Sequence, residues 1–286
     1  YVPVDLCGAV AGQIRIRPTG EVSVVSSTSF AAAQCFVSFE GASYVRDPAS
    51  AAPLPLASGW IDSPLATSPP AATLVDGVVH LKGAMAGGSA NPVFSLPPAM
   101  RPATDVYLPL GVAGGKKGRL YVQASGDAHV VSPSGFPDAQ TFTSLDGVKF
   151  APASATAFTP LSPLAPWTPS IYTAPPAATI VRDVVYLKGS IATLGGSSPA
   201  FALLPVLRPE GWVYVPIDLC GGTKGRLVIT PTGQVDVVQL DPGYANAQCF
   251  TSLDGASYAV PEAAFLPGLA CGAILVLALR GRRPTG

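Results

Sequence analysis

Histidine and charge are scarce in this chain, and their scarcity excludes several classes of function. Only two histidines occur among 286 residues, and neither recurs in the repeats described below. A histidine-dependent triad or metal site shared by the repeats is therefore excluded. Charged residues make up 12% of the chain, 17 basic against 17 acidic, so nothing indicates a nucleic-acid partner. No stretch before residue 262 has the apolar period of a helix.

Glycine and proline are abundant instead, with 30 and 31 residues. That much of both is typical of disorder, but 48% hydrophobic residues in alternating runs argue against it. We therefore predict an all-β protein of tandem antiparallel β-sandwich modules, with a single barrel per module as the alternative. The low charge and the many small residues also suit a protein that packs against copies of itself, as a homo-oligomer.

One phrase occurs three times. It begins at Tyr1, Tyr107 and Tyr214, a spacing of 106 and then 107 residues. Each copy ends in a matching phrase, which closes at Tyr44, Phe150 and Tyr258. A period that long indicates a domain repeat rather than a short solenoid unit.

The other half of the period occurs only twice, because residues 69–83 return as residues 175–189. The predicted domains are the second half of a module at 1–46, complete modules at 47–150 and 151–258, and a tail at 259–286. Either this chain is the end of a longer one, or residues 1–46 are completed by another chain. Without an initiator Met or a signal peptide, we expect a processed or truncated N-terminus.

Four of the five cysteines vary in pairs between the copies. Cys7 and Cys35 correspond to Cys220 and Cys249, and the middle copy lacks both. Joint loss is expected of a disulfide, so we predict Cys7–Cys35 and Cys220–Cys249 bridges, each worth about 3–4 kcal/mol. Buried thiols or metal ligands are the weaker alternative, since no histidine accompanies either pair. Disulfides imply export from the cytoplasm.

The repeats predict strands and their buried faces. Alternating runs form a hairpin in each copy, with Val22 and Val24 directed inward in the first. The equivalent apolar positions expected in the core of both complete modules are Leu81 and Leu187, Phe94 and Phe201, and Leu120 and Leu227.

Recurrent polar residues are explained by turns rather than by catalysis. Glu40, Asp146 and Asp254 each precede a glycine, as in a hairpin turn, and no second recurrent acid accompanies them. The glycine-rich stretches 114–119 and 221–226 lack the phosphate-loop spacing, so we interpret them as solvated basic turns. We predict no catalytic residue, cofactor or metal, and therefore no enzyme.

Five ring-bearing residues are the candidate contacts of a ligand or of an interface. They are Trp60, His80, Tyr121, Trp167 and Tyr186, expected to be exposed. Flat rings on a β surface can stack on sugars; packing at a seam between modules or subunits is the alternative.

The order GVVHLKG, VFSLPPAMRP, KGRLYV and FTSLDGVKF resembles β-domains near the C-termini of bacteriophage tail-fibre and minor tail proteins. The resemblance covers both complete modules and the half module. It implies a β-module that faces a receptor or a glycan.

The tail has a different character. An uncharged apolar run from Ala263 to Leu279 is followed by three arginines, and Cys271 lies within it. Such a run predicts a hydrophobic helix, and the tail resembles the PEP-CTERM and MYXO-CTERM sorting signals of Gram-negative surface proteins. It departs from the first type in having Ala263 where a second proline is expected.

Together these features predict a non-enzymatic extracellular repeat protein for surface adhesion or envelope architecture. Its expected partners are a cell-surface glycan or copies of itself, and its membrane contact is confined to the tail. The alternative is a phage tail-fibre or receptor-binding component, located in the virion tail.

Overall fold

The fold is all-β, as predicted. The structure, a computed structural model, describes residues 1–45, 51–155, 157–195, 199–239 and 244–260. The predicted C-terminal helix, with Cys271, lies outside these residues.

Module 1 is one antiparallel sheet in the order β3-β2-β1-β4, with a short helix beside it. Its elements are β1 (Val2–Leu6), β2 (Ala11–Ile16), β3 (Val22–Ser26), α1 (Phe30–Cys35) and β4 (Val37–Ser38).

Module 2 has two sheets, one in the order β10-β13-β12-β11-β14-β9-β6 and one in the order β15-β8-β7-β5. Its elements are β5 (Ala52–Pro53), β6 (Ile61–Asp62), β7 (Ala71–Val75), β8 (Val78–Lys82), β9 (Ala84–Ala86), β10 (Phe94–Ser95), β11 (Val106–Val112), β12 (Lys117–Val122), β13 (Asp127–Val131), α2 (Phe136–Thr141), β14 (Thr143–Ser144) and β15 (Lys149–Phe150).

Module 3 repeats this plan, and a bridge between Leu219 and Thr251 joins the sheets that hold β22 and β25. Its elements are β16 (Thr159–Pro160), β17 (Thr168–Pro169), β18 (Ala177–Val181), β19 (Val184–Lys188), β20 (Ser190–Ala192), β21 (Phe201–Ala202), β22 (Val213–Asp218), β23 (Lys224–Ile229), β24 (Gln234–Gln239), α3 (Ala245–Cys249), β25 (Thr251–Ser252) and β26 (Ser257–Ala259).

The cores of modules 2 and 3 use equivalent residues, as alternation predicts. The residues expected to be buried in both are Leu81, Leu187, Phe94, Phe201, Leu120 and Leu227, and all six are at most 3% exposed. The inward position predicted for Val22 is wrong, because its side chain is 53% exposed. Its counterparts Ala128 and Val235 are buried and pair with Phe94 of β10 and Phe201 of β21, strands for which module 1 has no described equivalent.

Both predicted disulfides are confirmed. Cys7 bonds to Cys35 and Cys220 to Cys249, with Cα–Cα distances of 5.6 and 5.8 Å. Module 2 keeps the backbone contact at this place, because the Ala113 amide donates to the Phe142 carbonyl as the Cys7 amide does to Phe36. The bridge ties the turn after β1 or β22 to a short helix, not to the closing strand. Two disulfides indicate a non-reducing environment.

Three short α-helices among the described residues, α1 to α3, were not predicted. Each has five or six residues, fewer than two turns, so it shows no apolar period in the sequence. The helices of modules 2 and 3 are stabilised by packing rather than by their own length. Ala139 and Ala247 are fully buried.

The acidic-residue–glycine pairs form turns, but not hairpins. In module 2 the Val148 amide donates to the Leu145 carbonyl across the turn, and Gly147 has a φ of +86°. This turn connects β14 to β15, which belong to different sheets. The Asp146 and Asp254 carboxylates accept the Gly83 and Gly189 amides, which ties each turn to the end of β8 or β19.

The three copies of the tyrosine phrase meet around one pseudo-threefold axis. A small cavity of about 20 Å³ on this axis is lined by equivalent residues of the three modules: Val2, Pro3, Gly41, Pro109, Gly147, Val215, Pro216 and Gly255. One hydrogen bond repeats around the ring, because Ser38, Ser144 and Ser252 donate to the carbonyls of Tyr214, Tyr1 and Tyr107. The modules are therefore a closed ring.

Buried ion pairs hold two of the three interfaces in this ring. Between modules 2 and 3, the fully buried Asp218 accepts Lys117 and Arg119. Between modules 3 and 1, Asp5 pairs in the same way with Lys224 and Arg226. Burial raises the pKa of Asp5 and lowers that of Lys224 to about 8, although each partner opposes the shift of the other. The expectation that the basic stretches are solvated is therefore wrong.

The third interface has a neutral residue at each of the three positions that are charged in the other two. Between modules 1 and 2, Ala11 and Gln13 stand at the basic positions, and Gly111 stands at the position of the aspartate. The Gln13 amide donates to the carbonyls of Val112 and Lys116, at 2.7 and 3.1 Å. A Cβ at Gly111 would lie 2.8 Å from the Gln13 amide carbon, so glycine makes room for glutamine. Removal of the acid thus accompanies removal of both bases.

Candidate functional site

An aromatic cleft opens at the interface between modules 2 and 3. Its volume is about 240 Å³, and the disulfide Cys220–Cys249 forms part of its wall. The other residues that line it are Tyr107, Arg119, Tyr172, Gly221 and Phe250. Module 2 contributes Tyr107 from β11 and Arg119 from β12, and the rest come from module 3.

Three aromatic rings line the cleft, those of Tyr107, Tyr172 and Phe250, and a fourth ring, that of Tyr121, supports one of them. Tyr121 stacks on Tyr107, with ring centroids 4.8 Å apart and planes 15° from parallel. Phe250 meets Tyr107 edge-on at 5.0 Å, and Tyr172 lies 6.4 Å from Phe250. Tyr172 is 62% exposed. These edge-on and offset arrangements are the favourable ones for aromatic rings.

Arg119 places a cation against these rings. Its guanidinium carbon lies 5.0 Å from the centre of the Tyr107 ring. Its position is fixed by hydrogen bonds to the Asp218 carboxylate and the Leu219 carbonyl, both 2.5 Å long. Burial lowers the pKa of Arg119, but an arginine stays charged at neutral pH. The ion pair of the interface therefore also orients a residue of the cleft.

The hydroxyl of Tyr107 stays protonated at neutral pH. Burial, with the nearby Tyr121 and Asp105, raises the pKa of Tyr107 to about 12. The Tyr121 hydroxyl donates to the Asp105 carboxylate at 2.5 Å. The cleft thus combines flat apolar rings with a few polar groups, the usual composition of a small-molecule site.

Comparison of the three interfaces shows which aromatic contacts of the cleft recur in the ring and which do not. A tyrosine–phenylalanine contact occurs at all three, as Tyr1–Phe142, Tyr107–Phe250 and Tyr214–Phe36. The stacked Tyr121 is unique, because Arg15 and Val228 stand at its position in the other modules. Tyr172 has no aromatic counterpart in 61–68 of module 2. Tyr121 therefore distinguishes this interface from the other two, and Tyr172 distinguishes module 3 from module 2.

The structure places the five ring-bearing residues predicted as contacts in three different locations. Tyr121 does not line the cleft itself but stacks on Tyr107, which does. His80 and Tyr186 meet edge-on at the seam between modules 2 and 3, with ring centroids 6.5 Å apart. Burial, with Lys149 nearby, lowers the pKa of His80 to about 4.

The expected exposure of Trp60 and Trp167 is wrong. Their side chains are 6% and 3% exposed, because each packs in the core of its module against Phe136 or Tyr244. The exposed tryptophan is Trp212, at 60%.

Sequence reasoning missed Tyr107, Arg119, Tyr172 and Phe250. Tyr107 and Phe250 recur in every copy, which indicates structure, and nothing in one copy shows that they meet across an interface. One signal was available in the sequence. Gly111 stands where the other copies have Asp5 and Asp218, and the bases of the partner module are replaced at the same time by Ala11 and Gln13.

The chain has no match among family models, curated proteins or solved structures. The part of the chain that the structure describes contains no cluster of three or more potential metal ligands. No helix within the described ranges has the length and apolarity needed to cross a membrane.

Proposed function

We propose that the protein is a non-enzymatic extracellular adhesion module that binds a glycan in the aromatic cleft. The main observation is that Tyr172 lines the cleft and Tyr121 stacks on Tyr107 in its wall, and that neither has an aromatic counterpart elsewhere in the described modules. Apolar C–H faces of a sugar ring pack against flat aromatic rings, while its hydroxyls need polar partners beside them. Tyr107 and Arg119 supply such partners.

The size of the cleft limits the ligand. At about 240 Å³ it is smaller than the usual pockets of about 300–1,000 Å³ for drug-sized molecules. It therefore suits a single sugar ring, such as the end of a glycan chain on a cell surface. A bacterial cell surface is the proposed location.

The test is a glycan array, followed by calorimetry on any glycan that binds. Tyr172→Ala and Tyr121→Val, which takes the residue of module 3, should weaken binding. Trp212→Ala is the matched control, because Trp212 is as exposed as Tyr172 and does not line the cleft. Undiminished binding by Tyr172→Ala contradicts the site, and turnover of any polysaccharide contradicts the non-enzymatic class.

A phage tail-fibre or receptor-binding component is the second candidate. It is supported by the resemblance of the modules and by the closed ring of three copies, which suits a rigid receptor-binding head. Genomic neighbours that encode tail assembly would favour it over the surface protein.

A further inference from the structure

We propose that module 1 carries a docking surface for a half-module of the repeat's own type, supplied by a polypeptide segment other than residues 51–260. The surface, called the open edge below, consists of β4 and the residues after it, Phe39 to Tyr44. The occupant is a β-hairpin that ends in Leu-Lys-Gly and continues into a short strand with a large apolar residue between two small ones, as in Ala84–Ala86 and Ser190–Ala192. This inference is independent of the proposed glycan site.

Comparison with the equivalent residues shows that the open edge is built to be covered. Phe39 is 59% exposed, whereas Leu145 and Leu253, at the same place in modules 2 and 3, are 0% exposed. Tyr44 is 58% exposed, against 3% for Phe150 and 1% for Tyr258. Two large apolar side chains in module 1 thus lie in water at positions that are otherwise core.

The chain itself shows what covers these positions. In module 2, β14 pairs with β9, and the Leu145 amide donates to the Gly83 carbonyl at 2.8 Å. In module 3, β25 pairs with β20, and Leu253 donates to Gly189 at the same distance. Among the described residues, β4 pairs with β1 alone, so its other edge is open for strand addition.

The backbone at the Leu-Lys-Gly phrase defines the chemistry of the occupant. Gly83 and Gly189 have φ values of +88° and +86°. A Cβ there would lie 2.3 Å from the Pro69 carbonyl oxygen or 2.4 Å from that of Ala174. Both the conformation and the space therefore require glycine. Glu40 stands where Asp146 accepts the Gly83 amide, so a carboxylate is in place for the incoming glycine.

A second copy of this chain is a poorer occupant. The two half-modules of a copy already lie in its own modules, where Leu81 and Leu187 are 1% and 3% exposed. Their use by another copy would require both to leave their cores. A half-module that is not engaged elsewhere meets no such cost.

The probe is a fluorescein-labelled synthetic peptide of residues 69–86, titrated into the full chain and followed by fluorescence anisotropy. We expect saturable binding at one site. The doubly substituted chain Phe39→Ser, Tyr44→Ser should bind at least about tenfold more weakly, because both side chains bury apolar surface on docking. Both residues are more than half exposed, so the variant keeps its fold. Trp212→Ser is the matched control and should bind like the unmodified chain.

Two further measurements make the result specific. A peptide with Gly83→Val should lose binding, because valine cannot adopt the required conformation at that position. In hydrogen exchange, the Phe39 amide should become protected when the peptide binds, as the bonds of Leu145 and Leu253 predict. No saturable binding by the unmodified chain, or equal binding by the double variant, overturns the proposal. Self-association that the double variant abolishes also overturns it, in favour of a second copy.

Discussion

Two interfaces of the ring contain a buried ion pair and the third contains neutral residues, so the charged residues of one interface can be replaced by the neutral residues of the third. Asp218 is fully buried and pairs with Lys117 and Arg119 across the interface between modules 2 and 3. In Asp218→Gly, two cations are left buried without their counter-charge. Removal of one partner from a buried ion pair costs about 3–5 kcal/mol, so the free energy of unfolding should fall by that amount.

The interface between modules 1 and 2 shows how to restore the loss. Lys117→Ala and Arg119→Gln, added to Asp218→Gly, reproduce its Ala11, Gln13 and Gly111. The new glutamine should reach a backbone carbonyl of module 3 as Gln13 reaches Val112. The triple variant should therefore lie within about 1–2 kcal/mol of the unmodified chain, since a glycine in a strand costs about 0.5–1 kcal/mol.

The assay is urea unfolding at pH 7, followed by the fluorescence of the buried Trp60 and Trp167. Glu21→Gln is the control, because Glu21 and its partner Arg17 are an exposed pair, which contributes at most about 1 kcal/mol. A triple variant as unstable as Asp218→Gly would refute compensation. A cost of less than about 1 kcal/mol for Asp218→Gly would show that the ion pair does not hold the interface.

Three other predictions concern an added disulfide, a buried carboxyl group and a buried lysine. Ala113→Cys with Thr141→Cys should form a third disulfide and stabilise module 2 by about 3 kcal/mol, visible as a mass loss of about 2 Da and a higher unfolding midpoint. Burial raises the pKa of Asp254 to about 7, so the stability that this group contributes should be full below about pH 4 and fall as the pH rises through 7; a carboxyl NMR titration near 4 would disprove this. Burial lowers the pKa of Lys149 to about 8, so stability relative to Lys149→Met should rise between about pH 8 and 10.5, and a flat difference in urea midpoints would contradict it.

The sequence predicted those features of the fold that lie within a single module. Alternation located the buried faces of β8, β12 and their counterparts, because a strand with one buried face has a period of two. The paired loss at Ala113 and Thr141 located the disulfides, because one half of a bridge has no use without the other. Both signals lie within a single module.

Contacts between modules were not predictable in the same way. The acid of one interface and its two bases belong to successive members of the ring, so no single copy carries the pattern. Arg119 resembled a solvated turn residue because its partner, Asp218, lies 99 residues further along the chain. Trp60 was misjudged because a tryptophan at the start of a module gives no sign of the core position that its fold provides.

The central claim is that the three modules form a closed ring and not an extended array. Small-angle X-ray scattering on residues 1–260 tests it most directly. A compact body of this size has a radius of gyration of about 18 Å, which is the value that the ring predicts. Modules strung out along the chain would give about 25 Å or more, and that value would contradict the ring and the cleft built at its interface.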